Sequence, residues 1–461
     1  MTFIKNKDEL LDPSKSCSKC LRARKTAVEL LEEALKAADP YEAVRKNIAI
    51  DGEEIVIAGK RFKPSNVWVL GLGKASIKMA LAVEDALGER ISGGVIAAPK
   101  ALRDRVERVP KLMEIVWSNH PIPDEDSVRA GRKLLEYAEQ ARENDIVLVL
   151  VSGGGSALVE YPANDITLED IVKVTRLLLR SGAIIQEINA VRKHLSMFKG
   201  GWLAKRAYPA TLVSLIISDV VGDNLEAIAS GPTAPDPTTF KDAYEILRRY
   251  GLWEKIPSKP REYIEKGLRG EVPETPKPGD EVFQKVHNNI VASNIVSLKA
   301  MEAKARELGY NTLILTSLLQ GEARVVGRIL ASIALETLTN GYPIKPPAVI
   351  LSGGETTVTV KGKGKGGRNQ ELALSAAIDI RGTHGIVIAS MGTDGIDGVT
   401  DVAGGLVDAH SIERALNLGL DPYQVLDNND SYSFFNELKD AIYTGATGTN
   451  VNDVQVIVVE K

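Results

Sequence analysis

Residues 67–87 read VWVLGLGKASIKMALAVEDAL, and this stretch decides the fold. Its first part, Val67–Gly73, is a short run rich in branched apolar residues that ends in glycines, as a buried strand does. Its second part has apolar residues at helical spacing. A strand that passes through a glycine turn into a helix opens a βαβ unit, and such units build a mostly parallel sheet.

The same alternation of strands and helices continues outward from this stretch. A helix is predicted over Thr26–Ala38, and a capped helix is predicted from Asp124 onward. Further strands are predicted at GGVIAAP, LMEIVW, DIVLVLV and TLVSLII, and after residue 281 at NNIVAS, TLILTS, AVILSG, ETTVTVKG (Glu355–Gly362), GIVIASMG and VQVIVVE.

A composition break divides these two series. Residues 251–281 contain five prolines among many charges, which predicts a hinge between domains. We therefore expect two α/β domains, residues 1–280 and residues 281–461. Both halves place glycine-rich loops after apolar strands. Ligands bind at the carboxyl ends of strands in open α/β sheets, so we expect these loops to face one cleft.

Composition excludes several classes of protein. The 461 residues carry 57 Lys+Arg and 61 Asp+Glu, a net charge of -4 that argues against a nucleic-acid binder. No apolar run is long enough for a membrane span, and the N-terminus lacks a signal-peptide pattern. These features predict a cytoplasmic protein with neither nucleic-acid nor membrane partners, and the scarcity of cysteine and abundance of Glu and Lys fit a heat-adapted source.

The first candidate ligand site is GLGKAS, where Gly71 and Gly73 let the backbone approach a ligand and Lys74 adds a positive charge. A tight turn with an exposed lysine is the alternative. A nicotinamide site is disfavoured, because Ser76 stands at the third glycine position and the next strand ends at Pro99-Lys100, where a ribose-binding acid is expected. The Walker pattern is absent as well.

The second candidate is SGGGSAL, which follows an apolar strand. Three successive glycines can form a nest of amides for an anion, although a flexible turn is the alternative. A serine-hydrolase elbow is excluded because Leu158 stands where that motif needs glycine. The candidate binding residues are Ser152, Gly153, Gly154, Gly155 and Ser156.

Two further segments follow in the first half. INAVRKHLSMFKGG concentrates Arg192, Lys193, His194 and Lys199, which suits a carboxylate or phosphate unless it is merely a solvated helix face. SDVVGDNLEAIASGP places Asp219 and Asp223 after a buried strand. Carboxylates there can hold Mg²⁺ or take a proton from a hydroxyl, and we expect one of the two to cap the next helix instead.

The most informative segment of the second half is SGGETTVTVKGKGKGGRNQE. It joins a second Ser-Gly-Gly turn to a glycine-lysine loop and then to a helix that opens with Arg368. A guanidinium on a glycine loop suits bidentate binding of phosphate or carboxylate. The candidate residues here are Ser352, Gly353, Gly354, Glu355, Gly366, Gly367, Arg368 and Asn369.

Acidic and cysteine motifs complete the survey. MGTDGIDGVTDVAGG carries Asp394 and Asp397 among glycines, which favours a divalent cation or sugar hydroxyls, but it lacks the spacing of an EF-hand. Cys17-x-x-Cys20 has no second cysteine pair, and His384 and His410 are isolated in the sequence, so no zinc site is predicted.

These segments, in this order, resemble the glycerate 2-kinase family, also called the MOFRL family. The resemblance runs from residue 67 to residue 454 and rests on VLGLGKAS, HPIPDEDS, VSGGGSAL, INAVRKHLSMFKGG, SDVVGDNLEAIASGP, LSGGETTVTVKGKGKGGRNQELAL and GTDGIDG. Asn119, Val399 and Ala446 depart from residues common in the family, and they touch loop stiffness more than charge.

The resemblance implies a fold, an activity and site residues. It implies an N-terminal Rossmann-like domain with a mostly parallel sheet and flanking helices, and a smaller C-terminal α/β domain, with the active site in the cleft between them. The implied reaction is ATP-dependent phosphorylation of D-glycerate to 2-phosphoglycerate with Mg²⁺, and the partners are ATP and glycerate. Lys74 and Arg368 match the residues that matter for activity in the family.

The remaining roles are hypotheses from the residues. Asp219 is a candidate catalytic base, Lys193 a candidate substrate ligand, and Asp223, Asp394 and Asp397 are candidate metal ligands. The residues do not decide which loop holds the nucleotide and which holds glycerate. They also do not decide whether the protein forms a homodimer. The alternative functions are an NAD(P)H-dependent hydroxypyruvate reductase and a non-catalytic regulator that binds a metabolite.

Overall fold

The structure, a computed structural model, describes residues 2–461 as alternating helices and strands. The helices are α1 (Lys7–Leu10), α2 (Ser18–Ala38), α3 (Pro40–Arg45), α4 (Ser76–Leu87), α5 (Glu125–Gln140), α6 (Gly155–Leu158), α7 (Leu168–Arg180), α8 (Ile185–Lys193), α9 (Trp202–Ala207), α10 (Phe240–Arg249), α11 (Ser258–Leu268), α12 (Asn294–Glu307), α13 (Ala323–Asn340), α14 (Arg368–Asp379), α15 (Ser411–Asn417), α16 (Pro422–Asp427) and α17 (Ser431–Leu438). The strands are β1 (Ile48–Asp51), β2 (Glu54–Ile57), β3 (Lys60–Phe62), β4 (Val67–Leu72), β5 (Gly93–Pro99), β6 (Glu114–Ser118), β7 (Ile146–Val151), β8 (Thr211–Ile217), β9 (Val286–Ala292), β10 (Asn311–Leu319), β11 (Ala348–Gly354), β12 (Ile386–Gly392), β13 (Gly404–Asp408), β14 (Ala441–Ile442) and β15 (Asp453–Val459).

The chain forms two compact units. We call residues 40–291 the central unit, and residues 1–39 together with 292–461 the terminal unit. Two α/β units are what the sequence predicts, but the borders differ from the predicted division at residue 280, because the first 39 residues fold with the C-terminal part of the chain.

The central unit is built on a six-stranded sheet with the strand order β6-β5-β4-β7-β8-β9. The pairs β6–β5, β5–β4, β4–β7 and β7–β8 are parallel, which confirms the predicted mostly parallel sheet, and β4 lies in its interior. Its core is formed by the apolar faces of these strands against α5 and α9. An antiparallel sheet of β1, β2 and β3 precedes it and is not predicted from the sequence.

The predicted hinge at residues 251–281 is wrong. This segment lies inside the central unit and contains α11, whose Tyr263 and Ile264 are buried against Phe240 and Leu247 of α10. Gly267 lets the helices approach closely, since a Cβ there would lie 2.2 Å from the Phe240 ring. The prolines therefore shape a packed segment and not a linker.

The terminal unit contains a six-stranded mixed sheet with the order β10-β11-β15-β12-β13-β14. Strand β15 is antiparallel to both β11 and β12 and lies between them, while β10 and β11 are parallel. The predicted strand over Glu355–Gly362 is wrong. Its backbone forms an isolated bridge between Thr357 and Glu322, and the amide and hydroxyl of Thr359 then donate to the Glu322 carboxylate, so the pairing does not extend into a strand.

Helix α2 explains why the N-terminal residues belong to the terminal unit. It begins at Ser18, eight residues before the predicted start, because Cys17 caps it by accepting the Cys20 amide. Leu30, Leu31 and Leu35 pack with Val456 and other apolar residues of that unit's sheet. Within residues 2–461, no helix has both the length and the apolar character that crossing a bilayer requires.

Candidate active site

In the central unit, the two predicted glycine loops are bonded to each other at the ends of β4 and β7. The Lys74 amide donates to the Gly153 carbonyl at 2.9 Å, and the Ala75 amide donates to Ser152 Oγ at 3.1 Å. Gly73 has φ +122°, and a Cβ there would lie 2.2 Å from Ser152 Oγ. The close approach of the loops therefore requires glycine at position 73.

Two other glycines of these motifs are explained by packing. A Cβ on Gly71 would lie 2.6 Å from Ile96 Cδ1, and a Cβ on Gly155 would lie 3.0 Å from Leu72 Cδ1. Both are buried positions. Gly71 and Gly155 therefore let the two loops pack closely against the sheet.

Three chemically active side chains converge on Gly153 and Gly154. A Cβ on Gly153 would lie 1.9 Å from Asp219 Oδ2, and a Cβ on Gly154 would lie 3.0 Å from His120 Cδ2 and 3.1 Å from Lys74 Cγ. These two glycines leave room for all three groups. Within residues 2–461, no backbone carbonyl accepts the amides of Gly153 or Gly154.

The electrostatics of this cluster follow from its geometry. Burial, together with the charge of Lys74, lowers the pKa of His120 below its usual value. The imidazole is therefore neutral at pH 7, and Lys74 supplies the positive charge beside it. A cation, a neutral imidazole, a carboxylate and two backbone amides form a site that can hold an anion and accept a proton.

Behind the loop, Ser156 lies in a buried polar network. Its hydroxyl is 2.7 Å from that of Ser230, which in turn donates to Asn189 Oδ1. The guanidinium of Arg192 donates to the Ser156 carbonyl at 3.0 Å, and burial lowers the pKa of that arginine. This arrangement fixes the back of the SGGGS loop.

The basic segment INAVRKHLSMFKGG is not a solvated helix face. Lys199 is fully buried and pairs with Glu160 at 2.7 Å, and Lys193, which is 3% exposed, pairs with Asp236 at 3.3 Å. His194 Nε2 lies 2.8 Å from the Glu274 carboxylate. The candidate substrate ligand Lys193 is thus held in an internal ion pair.

The two candidate carboxylates in the turn after β8, Asp219 and Asp223, have different surroundings. Asp219 lies against Gly153, whereas Asp223 stands in a turn with φ +55°, its amide bonded to the Val220 carbonyl. The expectation that one of them caps the following helix is wrong, because the next regular element is a 3-10 turn at Ile228–Ser230.

In the terminal unit, Arg368 is held by two carboxylates. Its Nε and Nη2 donate to the two oxygens of Asp453 at 2.6 and 2.9 Å, and its Nη1 lies 3.0 Å from Glu355. Burial raises the pKa of Asp453 to about 6, while the bidentate contact with Arg368 opposes that rise. Sequence reasoning missed Asp453; the available signal was its position as the first residue of the last strand, directly after a polar loop.

Asp397 has a role that differs from the predicted metal ligand. Its two oxygens accept the backbone amides of Asn369 and Gln370 at 3.0 and 2.9 Å, and the side-chain amides of the same two residues. It is 1% exposed. The carboxylate therefore caps the start of α14, and its lone pairs are already used.

The glycine-lysine loop also differs from the predicted anion nest. The amides of Lys361 and Gly362 donate to Asn429 Oδ1, and the Gly364 amide donates to the Asn428 carbonyl. A Cβ on Gly364 would lie 2.4 Å from Asp430 Cβ, and one on Gly367 would lie 2.2 Å from Asp397 Cγ. The glycines serve close packing, and the amides of Gly362 and Gly364 are occupied.

The second Ser-Gly-Gly turn is internal to the sheet. Ser352, Gly353 and Gly354 are buried residues of β11, and Ser352 Oγ donates to Gln455 Oε1 at 3.2 Å. A Cβ on Gly353 would lie 2.0 Å from Asn294 Oδ1. Asp394, in contrast, is partly exposed, and its Oδ1 accepts the Ile396 amide at 3.0 Å.

Comparison with known proteins supplies the family. Residues 26–265 match a domain of unknown function, DUF4147, and residues 348–453 match the MOFRL family. A glycerate 2-kinase from Pyrococcus horikoshii is 47% identical over 95% of this chain and 97% of its own length. A D-glycerate 2-kinase from Thermotoga maritima is 42% identical over 94% of this chain and 97% of its own.

Other relatives and solved structures agree with this in part. A protein named as a putative hydroxypyruvate reductase from Agrobacterium vitis is 42% identical over 95% of this chain and 94% of its own. The crystal structure of a glycerate kinase from Thermotoga maritima superposes with a TM-score of 0.85 at 40% identity, covering 94% of this chain and 99% of that one. On this similarity over almost its whole length, the chain belongs to the glycerate 2-kinase family that carries the MOFRL domain.

Proposed function

We propose that this protein transfers the γ-phosphoryl group of ATP to the C2 hydroxyl of D-glycerate, giving 2-phosphoglycerate and ADP. The observation that carries the proposal is the convergence of Lys74, His120 and Asp219 on the two glycines Gly153 and Gly154. Phosphoryl transfer needs positioning and positive charge far more than covalent chemistry. This cluster offers both, in a chain 47% identical to a glycerate 2-kinase.

Each group of the cluster has a place in that reaction. The amides of Gly153 and Gly154 hold an anionic oxygen, and Lys74 neutralises charge that develops on the phosphoryl group. Asp219, the carboxylate nearest the loop, accepts the proton of the attacking hydroxyl. Neutral His120 orients the substrate by hydrogen bonding without adding a second charge beside Lys74.

Arg368 acts as the cation of the terminal unit. Asp453 and Glu355 fix its guanidinium, and about a third of its side chain stays exposed, at 34%. A guanidinium held in this way is preorganised to meet a carboxylate or phosphate of the substrates. Gly366, Gly367 and Asn369 support the start of α14 that presents it.

Magnesium fits this arrangement as the companion of ATP. In nucleotide sites Mg²⁺ binds one or two carboxylates together with phosphate oxygens, so one partly exposed carboxylate beside the anion loop is sufficient. Because Asp219 is assigned as the base, Asp223 and Asp394, which are partly exposed, are the candidate ligands of the ion. When bound, the ion supplies neutralisation of the phosphate charges.

The test is direct. Purified protein with ATP, Mg²⁺ and D-glycerate should release ADP, and phosphorus NMR should show the signal of 2-phosphoglycerate. Formation of 3-phosphoglycerate alone would overturn the assignment of C2, and absence of ADP release would overturn the kinase. Fractionation of the source cells would test our further expectation that the enzyme acts in the cytoplasm.

The reductase is the second candidate, supported by the name of the Agrobacterium vitis relative. Strand β5 ends at Pro99, and the Lys100 that follows pairs with Asp126 at 2.7 Å. A nicotinamide site expects an acid for the ribose at this strand end. We expect no loss of NADH absorbance with hydroxypyruvate, and steady oxidation of NADH would favour the reductase.

A further inference from the structure

Four potential metal ligands that are far apart in the sequence meet in the terminal unit. Cys17 and Cys20 flank the start of α2, His384 lies in the loop before β12, and His410 immediately precedes α15. One ligand atom from each residue can be chosen so that all four lie within 4.8 Å of one another. None of the four belongs to the site described above.

We propose that Cys17, Cys20, His384 and His410 bind one structural Zn²⁺ ion. Two sulfurs and two imidazole nitrogens are a donor set typical of structural zinc in tetrahedral geometry. Bonds of about 2.0–2.3 Å to a tetrahedral ion place the ligand atoms roughly 3.3–3.8 Å apart. Binding therefore needs the most distant ligand atoms to move about 1 Å closer, whereas the two sulfurs, 3.1 Å apart, have to separate slightly.

The surroundings of the four residues support metal binding. His410 Nε2 is buried and has no hydrogen-bond partner among residues 2–461, which is costly for a polar atom unless a ligand meets it. The Gly385 amide donates to Cys20 Sγ at 3.4 Å, and the Cys20 amide donates to Cys17 Sγ at 3.4 Å. Such amide contacts stabilise metal-bound thiolates.

The backbone also holds the two histidine loops together. The Gly382 amide donates to the Ala409 carbonyl at 2.9 Å, and the His410 amide donates to Asp408 Oδ1 at 2.8 Å. His384 is exposed and gives the ion a path from solvent. Binding displaces the two thiol protons to solvent and leaves a neutral site.

The competing chemistry is a disulfide between Cys17 and Cys20. Their sulfurs lie 3.1 Å apart as free thiols, and Cys17 caps a helix, a position at which thiols become reactive. A disulfide uses neither histidine. The convergence of His384 and His410 on the pair therefore favours the metal.

The first experiment measures metal in the intact protein. Untagged protein, made in zinc-supplemented medium and purified without chelator, should contain about one zinc per chain by mass spectrometry of the metals. Cys17→Ser and His410→Asn should each lower this content at least tenfold, whereas the control His287→Asn, in the central unit, should keep it. Equal zinc in the wild type and Cys17→Ser would identify adventitious metal and overturn the proposal.

The second experiment uses only the wild-type protein, so it does not depend on the folding of any variant. Chelator-treated wild-type protein titrated with Co²⁺ should develop the visible bands of a tetrahedral site and a thiolate charge-transfer band, both saturating at one ion per chain. Its melting temperature should rise by about 5 °C or more on adding Zn²⁺. A wild type without metal whose two cysteines are disulfide-linked, or a Co²⁺ complex without thiolate absorption, would overturn the proposal. Neither readout depends on kinase activity.

Discussion

At the scale of single residues, Lys74 shows how local geometry creates function. Its amide is fixed by Gly153, while its exposed side chain reaches across Gly154 toward His120. The backbone of Lys74 is therefore fixed, while its charged amine remains available to an anion.

This placement predicts the effect of removing the charge. We expect Lys74→Met to lower kcat about 10²–10³-fold, because a group that neutralises transition-state charge is lost. The melting temperature should stay close to that of the wild type, since the side chain is exposed. Steady-state ADP release measures kcat, and calorimetry measures the melting temperature. Lys46→Met, at an exposed position of the same unit, is the matched control and should keep wild-type turnover.

The buried pair of Lys199 and Glu160 predicts a different kind of effect. Burial lowers the pKa of Lys199 to about 8, although the charge of Glu160 opposes this. Lys199→Met leaves a buried carboxylate without its cation, and we expect a loss of about 3–5 kcal/mol in unfolding free energy.

The matched double variant tests this explanation. Lys199→Met combined with Glu160→Gln removes both charges and should recover a large part of the loss in urea unfolding. If the double variant is as unstable as the single one, the charge is not the cause, and lost packing of the lysine stem explains the effect.

The sequence identifies candidate site residues better than it identifies the side chains that contact them. Arg368 stands out on its glycine loop, but nothing in the spacing indicates that Asp453, 85 positions later, holds it. Asp397 resembles a metal ligand among glycines, and only the fold reveals that Asn369 and Gln370 use its oxygens. Long-range pairing of this kind is set by the sheet topology.

At the scale of elements, the glycine-lysine loop of residues 362–367 is a packed connector. Gly362, Gly364 and Gly366 face residues 428–431, with no room for a side chain, and Gly367 faces Asp397 in the same way. Glycine composition alone does not distinguish an anion nest from a close backbone contact, since both need the missing Cβ. This is why the sequence pattern predicted a ligand loop here.

The packing explanation can be tested at Gly364. A methyl group there would overlap Asp430, so we expect Gly364→Ala to lower the unfolding free energy by about 1–3 kcal/mol. Lys363→Ala, the neighbouring exposed position, should change it by less than about 0.5 kcal/mol. Urea unfolding measures both, and equal stability of the two variants would contradict close packing.

Element prediction succeeded where the apolar pattern is long and uninterrupted. The strands β4, β7 and β15 follow from buried apolar runs. The segment Glu355–Gly362 alternates apolar and polar residues, but its backbone pairing stops at an isolated bridge, because side chains of Glu322 and Asn429 accept the amides that follow. Local periodicity contains no information about such side-chain acceptors.

At the scale of the whole molecule, the terminal unit is assembled from both ends of the chain. Arg24 of α2 is fully buried and donates to Asp408 at 2.5 Å and to Asp440 at 2.9 Å. Arg414 also pairs with Asp440. Although burial raises the pKa of Asp440, the charges of Arg24 and Arg414 hold it down to about 2.

This network predicts sensitivity to acid. Because the folded-state pKa of Asp440 is lowered from 3.8, its contribution is complete above about pH 4 and is lost as the pH falls toward 2. The loss is on the order of 2 kcal/mol. Urea midpoints measured across this range should fall for the wild type and fall less for Asp440→Asn. Equal slopes for both proteins would show that other groups dominate.

Because residues 1–39 and 292–461 form one unit, we can predict what happens when the two segments are made separately. Residues 292–461 made alone expose the apolar surface that Leu30, Leu31 and Leu35 cover, so we expect them to aggregate. Co-expression with residues 1–39 as a separate peptide should give a soluble complex with the helical circular dichroism of a folded domain. Soluble, cooperatively folded 292–461 without the peptide would contradict this expectation.

The sequence indicates two α/β units, but it does not show that residues 1–39 belong to the second. Helix α2 has an ordinary amphipathic pattern that fits against any apolar face. The charged, proline-rich residues 251–281 look like a linker, and only their packing on α10 places them inside the central unit. Domain borders depend on tertiary contacts that periodicity cannot encode.

The origin of α2 has a consequence for synthesis on the ribosome. Helix α2 is synthesised long before the strand β15 on which it packs. At about 5–20 residues per second, roughly 20 to 80 seconds separate the two. During that interval the nascent chain exposes the apolar face of α2 without its partner strand, so chaperones have a long opportunity to bind this helix, and the terminal unit can close only once β15 has been made.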